Sequence, residues 1–263
     1  MHLGNGALTP ECVAATCSAA ALGLGAAAWH IRRGPVSGRK LAAVAVVGAT
    51  VFAAQASNVP VLPFASGHLV GGVLAAWLLG PALGAWTIFA VLAIQAGVLG
   101  DGGLAALGAN TLNMALIPAA AVVLVRRQVA ADRPNLRRDI SIGLAVVCIA
   151  SLVVAAGLIV GEVALGRSGA ELAGLGDFAW RMLSYHLWIG VGEAILTLAV
   201  VYAIGVQRLP GSDRLPKRRV YATVAAAALV LAIALPFASG LPDGYEAAAE
   251  RSQMAWLLGA DEG

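Results

Sequence analysis

Apolar residues occupy this chain in long unbroken blocks, and the short stretches between the blocks hold nearly all of its charge. The blocks run over residues 11–31, 40–56, 69–80, 82–99, 104–125, 139–161, 180–206 and 220–238. A bilayer core of about 30 Å takes roughly 20 apolar residues per helix, so most blocks have the length of a membrane span. The 69–80 block is short. It is expected to tilt or to form a shared hairpin with the next block across Gly80-Pro81. The expected fold is an all-α integral membrane protein, a bundle of about seven to eight transmembrane helices that includes an extra amino-terminal helix.

Composition agrees with this pattern: 60% of the 263 residues are apolar, 12% are charged, and the mean hydropathy is +0.84. The first block lacks a basic leader and a cleavage pattern, so it reads as a retained helix and not as a signal peptide. Cys12, Cys17 and Cys148 are odd in number, sit inside apolar blocks and lack CxxC spacing, which argues against a disulfide framework or a zinc knuckle.

Charge then orients the bundle. Arg32, Arg33, Arg39 and Lys40 fill one linker, Arg126 to Arg138 a second, and Arg208 to Arg219 a third, together 14 of the 17 basic residues. Cytoplasmic loops collect such residues, and eight spans place all three linkers on one side. Both termini, the Ser57-to-His68 loop and the Gly100-to-Gly103 turn then face outward. The net charge of +3 is a topology signal and implies no nucleic-acid partner.

Four histidines carry the candidate chemistry. A free amino terminus followed by His2 offers an amine, an amide nitrogen and an imidazole Nδ1 that close a five-membered and a six-membered ring on one ion. His68, expected on the same outer side behind a loop with two prolines and a glycine, can add a fourth nitrogen. Four nitrogens in a plane suit Ni(II) or Cu(II) and exclude metals that prefer hard oxygen ligands. His30, beside Arg32, reads as interfacial packing. His186 and Glu193 share a helical face, and two readings stay open: an intramembrane functional pair, or an internal hydrogen-bonded pair, with Arg181 as a further partner. Asp101 lies in a glycine turn expected to re-enter the bilayer. Asn110 and Asn113, one turn apart, can bond to each other, to the amino-terminal strand or around a metal site. Asn58 and Ser66 are further pocket candidates.

The MHxxxG start, Gly67-His68-Leu69-Val70-Gly71-Gly72, Gly80-Pro81, the GDGGLxALGANxxNM run from Gly100 to Met114 and HxxIGxxEAxxT from His186 to Thr197 resemble one family. It is the substrate-binding (S) subunit of cobalt and nickel energy-coupling-factor (ECF) transporters, the CbiM/NikM family. The resemblance implies that residues 1–206 form the metal-binding membrane domain. It also implies metal ligation by the Met1 amine, the His2 amide and imidazole, and His68. The implied function is ATP-driven import of Ni2+ or Co2+ across the bacterial cytoplasmic (inner) membrane. The implied partners are a transmembrane coupling (T) subunit and two cytoplasmic ATPase subunits, since this chain has no Walker A run.

Residues 207–263 comprise a basic cytoplasmic linker, a further span and an outer tail whose Leu241-Pro242-Asp243-Gly244-Tyr245-Glu246 resembles the PDGLE-type element of the family's small accessory membrane subunit. The need for a separate accessory protein is left open. Two other functional classes are an intramembrane metalloenzyme built on His68, His186 and Glu193, and a stand-alone metal permease. The first lacks an HExxH pair and a nucleophile; the second differs by needing no ATPase.

Overall fold

Helix starts coincide with local caps. Thr9 accepts the Cys12 N–H and is followed by Pro10, which opens α1 (Pro10–Arg32); Ser37 accepts the Lys40 N–H at the head of α2 (Gly38–Gln55). A computed structural model describes residues 1–129, 136–204 and 239–258. After α2 come a short antiparallel hairpin, β1 (Val59–Leu62) and β2 (Ala65–Gly67), then α3 (Gly72–Leu79) and α4 (Pro81–Ile94). The hairpin pairs Val59 with Gly67 and Pro60 with Ser66, and its register shifts before Leu62.

The short apolar block becomes an eight-residue helix that folds back on α4 at Gly80, whose φ of 92° favours glycine, with Pro81 at the first position of α4. A Cβ on Gly84 would stand 2.5 Å from the Ala76 main chain, so glycine permits the tight α3–α4 crossing. α5 (Leu107–Thr111) and α6 (Ile117–Val129) are joined by a π turn, Leu112–Leu116. Pro118 cannot donate to the Met114 carbonyl, and widening the preceding turn accommodates that missing bond. α7 (Leu136–Ala164) and α8 (Leu175–Ile204) pack as an antiparallel pair, with Gly190 against Ile149. α9 (Gly244–Glu250) lies in the carboxyl-terminal segment.

Among the described residues five helical stretches are long and apolar enough to cross a membrane: 10–32, 81–99, 107–128, 138–164 and 169–203. α2 and α3 are not among them, and the expected 220–238 span lies outside the described residues. Large apolar side chains cover the outside as well as the core. Ile142, Val146, Val154 and Leu158 form one exposed stripe on α7, while Leu144, Cys148, Leu152 and Ile159 point inward. An exposed apolar stripe of this kind suits a lipid surface. Gly48, on the small-residue face of α2, packs against Thr87 of α4.

Residues 1–8, the hairpin, the 100–106 turn, the 165–174 loop and the carboxyl-terminal segment gather at one end of the bundle. Hydrogen bonds tie them together: Gly103 to Leu3, Thr9 to Leu165, and Ser66 to Pro242.

Candidate metal centre

The arm before α1 is held chiefly through its backbone. The Asn110 side chain accepts the Leu3 N–H at 2.9 Å and donates to the Leu3 carbonyl at 3.1 Å, reading the arm as a neighbouring strand would. The Gly103 N–H reaches the same carbonyl at 2.8 Å. A Cβ on Gly102 would lie 3.3 Å from the His2 Cβ, and one on Gly103 would strike Asn5, so this glycine pair makes room for the arm. Arg167 donates to the carbonyls of Ala7 and Val163 and stacks on Trp256. The result buries Met1 and Leu3 almost completely.

His68 is delivered by the turn after β2, and that turn is clamped from below. Glu193 accepts the N–H groups of Val70 and Gly71 at 2.8 and 2.9 Å, and Gln55 donates to the Val70 carbonyl at 2.8 Å. Gly71 has a φ of 75°, and a Cβ there would also collide with Val51. Both carboxylate oxygens of Glu193 are thus engaged with main chain, and neither ring nitrogen of His186 bonds to them. His186 directs one ring nitrogen to the Met182 carbonyl at 2.8 Å. Its Nε2 is buried without a partner among the described residues. Arg181 pairs with Asp177 and Tyr185 instead.

Met1, His2 and His68 converge. The Met1 amine lies 3.5 Å from His68 Nε2, and the His2 and His68 rings stack with centroids 5.2 Å apart and planes 9° from parallel. Two nitrogens each about 2.0–2.1 Å from a shared ion stand about 2.9 Å apart when adjacent in a square plane, so the amine and His68 are a few tenths of an ångström beyond that spacing. The His2 Nδ1 faces Asp101 at 3.1 Å, while its Nε2 is buried and unpartnered. Met1, Gly67, His68, Val70, His186, Ile189, Asp243 and Gly244 line a cavity of about 10 Å³, the space of one water. Among the described residues no three His, Cys, Asp or Glu side chains form a metal cluster; half of this candidate donor set is main chain.

The electrostatics follow the packing. Burial, reinforced by the neighbouring ammonium and by His2, pulls His68 down to about 3, so its imidazole is neutral at physiological pH. Burial alone would raise Asp243, yet the Met1 ammonium and the Glu246 N–H hold its carboxyl below the usual carboxylate range. The His2 hydrogen bond does the same for Asp101. Burial pushes the Tyr245 hydroxyl up.

Three of the candidate pocket residues sit elsewhere. The Asn58 carbonyl accepts the Ser239 N–H, and Ser66 donates through Oγ and N–H to Leu241 and Pro242, so both fasten the carboxyl-terminal segment. Asn113 turns away from Asn110 and donates to Glu162 at 2.9 Å. Asn110 lies in α5 and Asn113 inside the π turn Leu112–Leu116, whose wider winding takes Asn113 off the face of its α-helical neighbour. Asp243, which contacts the amine directly, was not foreseen in that role. Its sequence signal, an Asp three residues before Glu246, announces only a helix cap. Arg167 gave no sequence signal at all.

Residues 2–210 match the family model described as the cobalt uptake substrate-specific transmembrane region. A putative metal transport protein of Haloquadratum walsbyi is 32% identical over 208 residues, 79% of this chain and 91% of that protein. A cobalt transport protein of Salmonella typhimurium is 30% identical over 67% of each chain. A fused nickel transport protein of Rhodobacter capsulatus is 36% identical over 152 residues, 55% of this chain and 42% of that protein. A crystal structure of a transition metal transporter superposes with a TM-score of 0.65 at 29% identity, covering 78% of this chain and 93% of that one. With its apolar helices, its match across most of the chain and its related solved structure, the protein belongs to the CbiM family of substrate-specific transmembrane components of metal uptake systems.

Proposed function

We propose that this chain is the substrate-capture subunit of an ATP-driven ECF-type importer of Ni2+ or Co2+ in the bacterial cytoplasmic membrane. The observation that carries the reading is the convergence of the Met1 amine, His2 and His68 at one buried pocket. The amine and the His2 amide close one chelate ring, and the amide and His2 Nδ1 close the second. His68 Nε2 then takes the position opposite the amide, next to the amine. Closing the second ring needs a half-turn of the His2 imidazole about Cβ–Cγ, which moves Nδ1 off Asp101 and brings Nε2–H toward it. Asp101 thereby orients the ligand ring from outside the coordination sphere. The pocket opens at the outer end, and import energy comes from two ATPase subunits acting through a coupling subunit.

Metal content of protein purified with its native terminus tests the chelate, with Ni2+ and Co2+ offered in competition. The expected result is stoichiometric retention of one of the two ions. A tagged chain, whose Met1 nitrogen is an amide, is expected to retain none. Equal retention by the tagged chain overturns the chelate. Uptake in cells lacking the ATPases tests the assembly: persistent uptake overturns the ATP-driven reading and supports a permease working alone.

A further inference from the structure

The carboxyl-terminal segment lies beyond the residues matched by the family model, yet it forms one wall of the pocket. Asp243 is 8% exposed, and its two oxygens are divided between two tasks. Oδ1 accepts the N–H groups of Tyr245 and Glu246 and so caps α9, while Oδ2 accepts from the Met1 ammonium. The cap locks the carboxylate plane; the second oxygen is then aimed at the amine and cannot swing away. The segment is also bolted to the hairpin that leads to His68, through Ser66–Pro242, Ser66–Leu241 and Ser239–Asn58. Tyr245 donates to the Leu257 carbonyl inside a buried cluster, and Gly244 sits against His186, where a Cβ would stand 3.3 Å from the ring. A single small segment therefore grips both halves of the proposed donor set.

We propose that Asp243 is a positioning residue for metal capture: its Oδ2 holds the terminal amine beside His68 Nε2, so that the arm is already ordered when the ion arrives. The inference rests on the chelate reading above. Ordering a free chain end costs conformational entropy, and a docked amine has met that cost before binding. When the ion enters, the N–H···Oδ2 contact breaks, the Met1 ammonium and the His2 amide each lose one proton to solvent, and the two nitrogen lone pairs bond to the metal in place of its water ligands. The carboxylate stays in place. A dication with one deprotonated amide carries one net positive charge, and the adjacent Asp243 carboxylate cancels it in a buried site.

The test uses the full-length, native-terminus protein with Ni2+ and Co2+ as probes. Asp243→Asn removes the charge but keeps the cap, because Asn serves as well as Asp at that position. The expected result is an association rate about tenfold lower, the scale of one charge-assisted hydrogen bond, together with faster dissociation, because the bound ion loses its buried counter-charge. Asp243→Ser, which caps but is too short to reach the amine, is expected to match it, and Asp243→Glu to recover part of the rate. Hydrogen exchange over residues 239–258 verifies that the segment stays docked in each variant. Native association rates in both the Asn and Ser variants overturn the proposal, and so does faster binding, which would make the ion pair a competitor of the metal. Loss of binding on tagging, combined with native rates in these variants, removes Asp243 alone and leaves the chelate standing. Equal binding by the tagged protein removes both.

Discussion

The amino-terminal arm and the carboxyl-terminal segment meet at the same pocket but are held by different kinds of interaction. The arm is gripped by its backbone, through Asn110 and Gly103 on Leu3 and Arg167 on Ala7. The segment adds its own side chains to its backbone bonds at Ser66 and Asn58: Arg251 over Phe64, Trp256 under Arg167 and Tyr245 in the core. Backbone anchoring fixes the distance of each residue from the chain end. Side-chain anchoring fixes which residues stand there. The arm should therefore be sensitive to length and the segment to identity.

Inserting one glycine between His2 and Leu3 probes that difference most severely. It keeps the amine, the amide and the His2 imidazole in their two rings but moves them one residue away from the Leu3 anchor and so off His68, and the expected loss of metal affinity is ~10²–10³-fold, the share of one or more nitrogen ligands. Isothermal titration with Ni2+ measures it; an unchanged affinity would break the length rule.

Asn110→Ala comes next. It orphans the buried Leu3 N–H at a cost of about 1–3 kcal/mol, and metal affinity should fall about tenfold to a hundredfold as the arm frays. Leu3→Met, which leaves the backbone bonds intact, should change affinity less than about threefold. If Leu3→Met proves the worse of the two, side-chain packing holds the arm and the contrast fails.

Ser66→Ala removes only the side-chain bonds to Leu241 and Pro242, since the Ser66 N–H still reaches Pro242. About 1 kcal/mol of docking should be lost, read as faster hydrogen exchange over residues 239–258 with no change at residues 1–8.

A further effect concerns acid. His68 has its folded value lowered to about 3, against about 6.5 in an unfolded chain, so the unfolded state binds the proton first. Metal-free protein should lose stability as pH falls from about 6.5 toward about 3 and gain nothing further above that window. His68→Gln should flatten this part of a thermal-melting profile against pH.

Much of this architecture was legible in the residues alone. The blocks at 11–31, 139–161 and 180–206 correspond to α1, α7 and α8, because a long apolar run admits few alternatives in lipid. The chelating Met1-His2 start was also legible, since chelate rings depend only on covalent spacing; His68 was expected near it only from the shared outer side and the family resemblance. The hairpin at 59–67 was expected only as a constrained loop: two prolines and a register shift hide strand alternation. Glu193 read as a candidate functional carboxylate and proves to be the brace under the Val70-Gly71 turn.

Hydropathy and covalent geometry are local properties, and they determined that this chain builds apolar helices and carries a chelating start. What the tertiary structure alone decided is who surrounds that start. Asp243 stands 242 residues from the amine it contacts, and no periodicity or motif spacing encodes an encounter across such a separation. The same holds for Arg167 against Ala7 and for Asn113, which a π turn directs to Glu162. Those contacts arise only when packed helices bring distant backbone into register, because a buried polar group must find its partner wherever the fold places one.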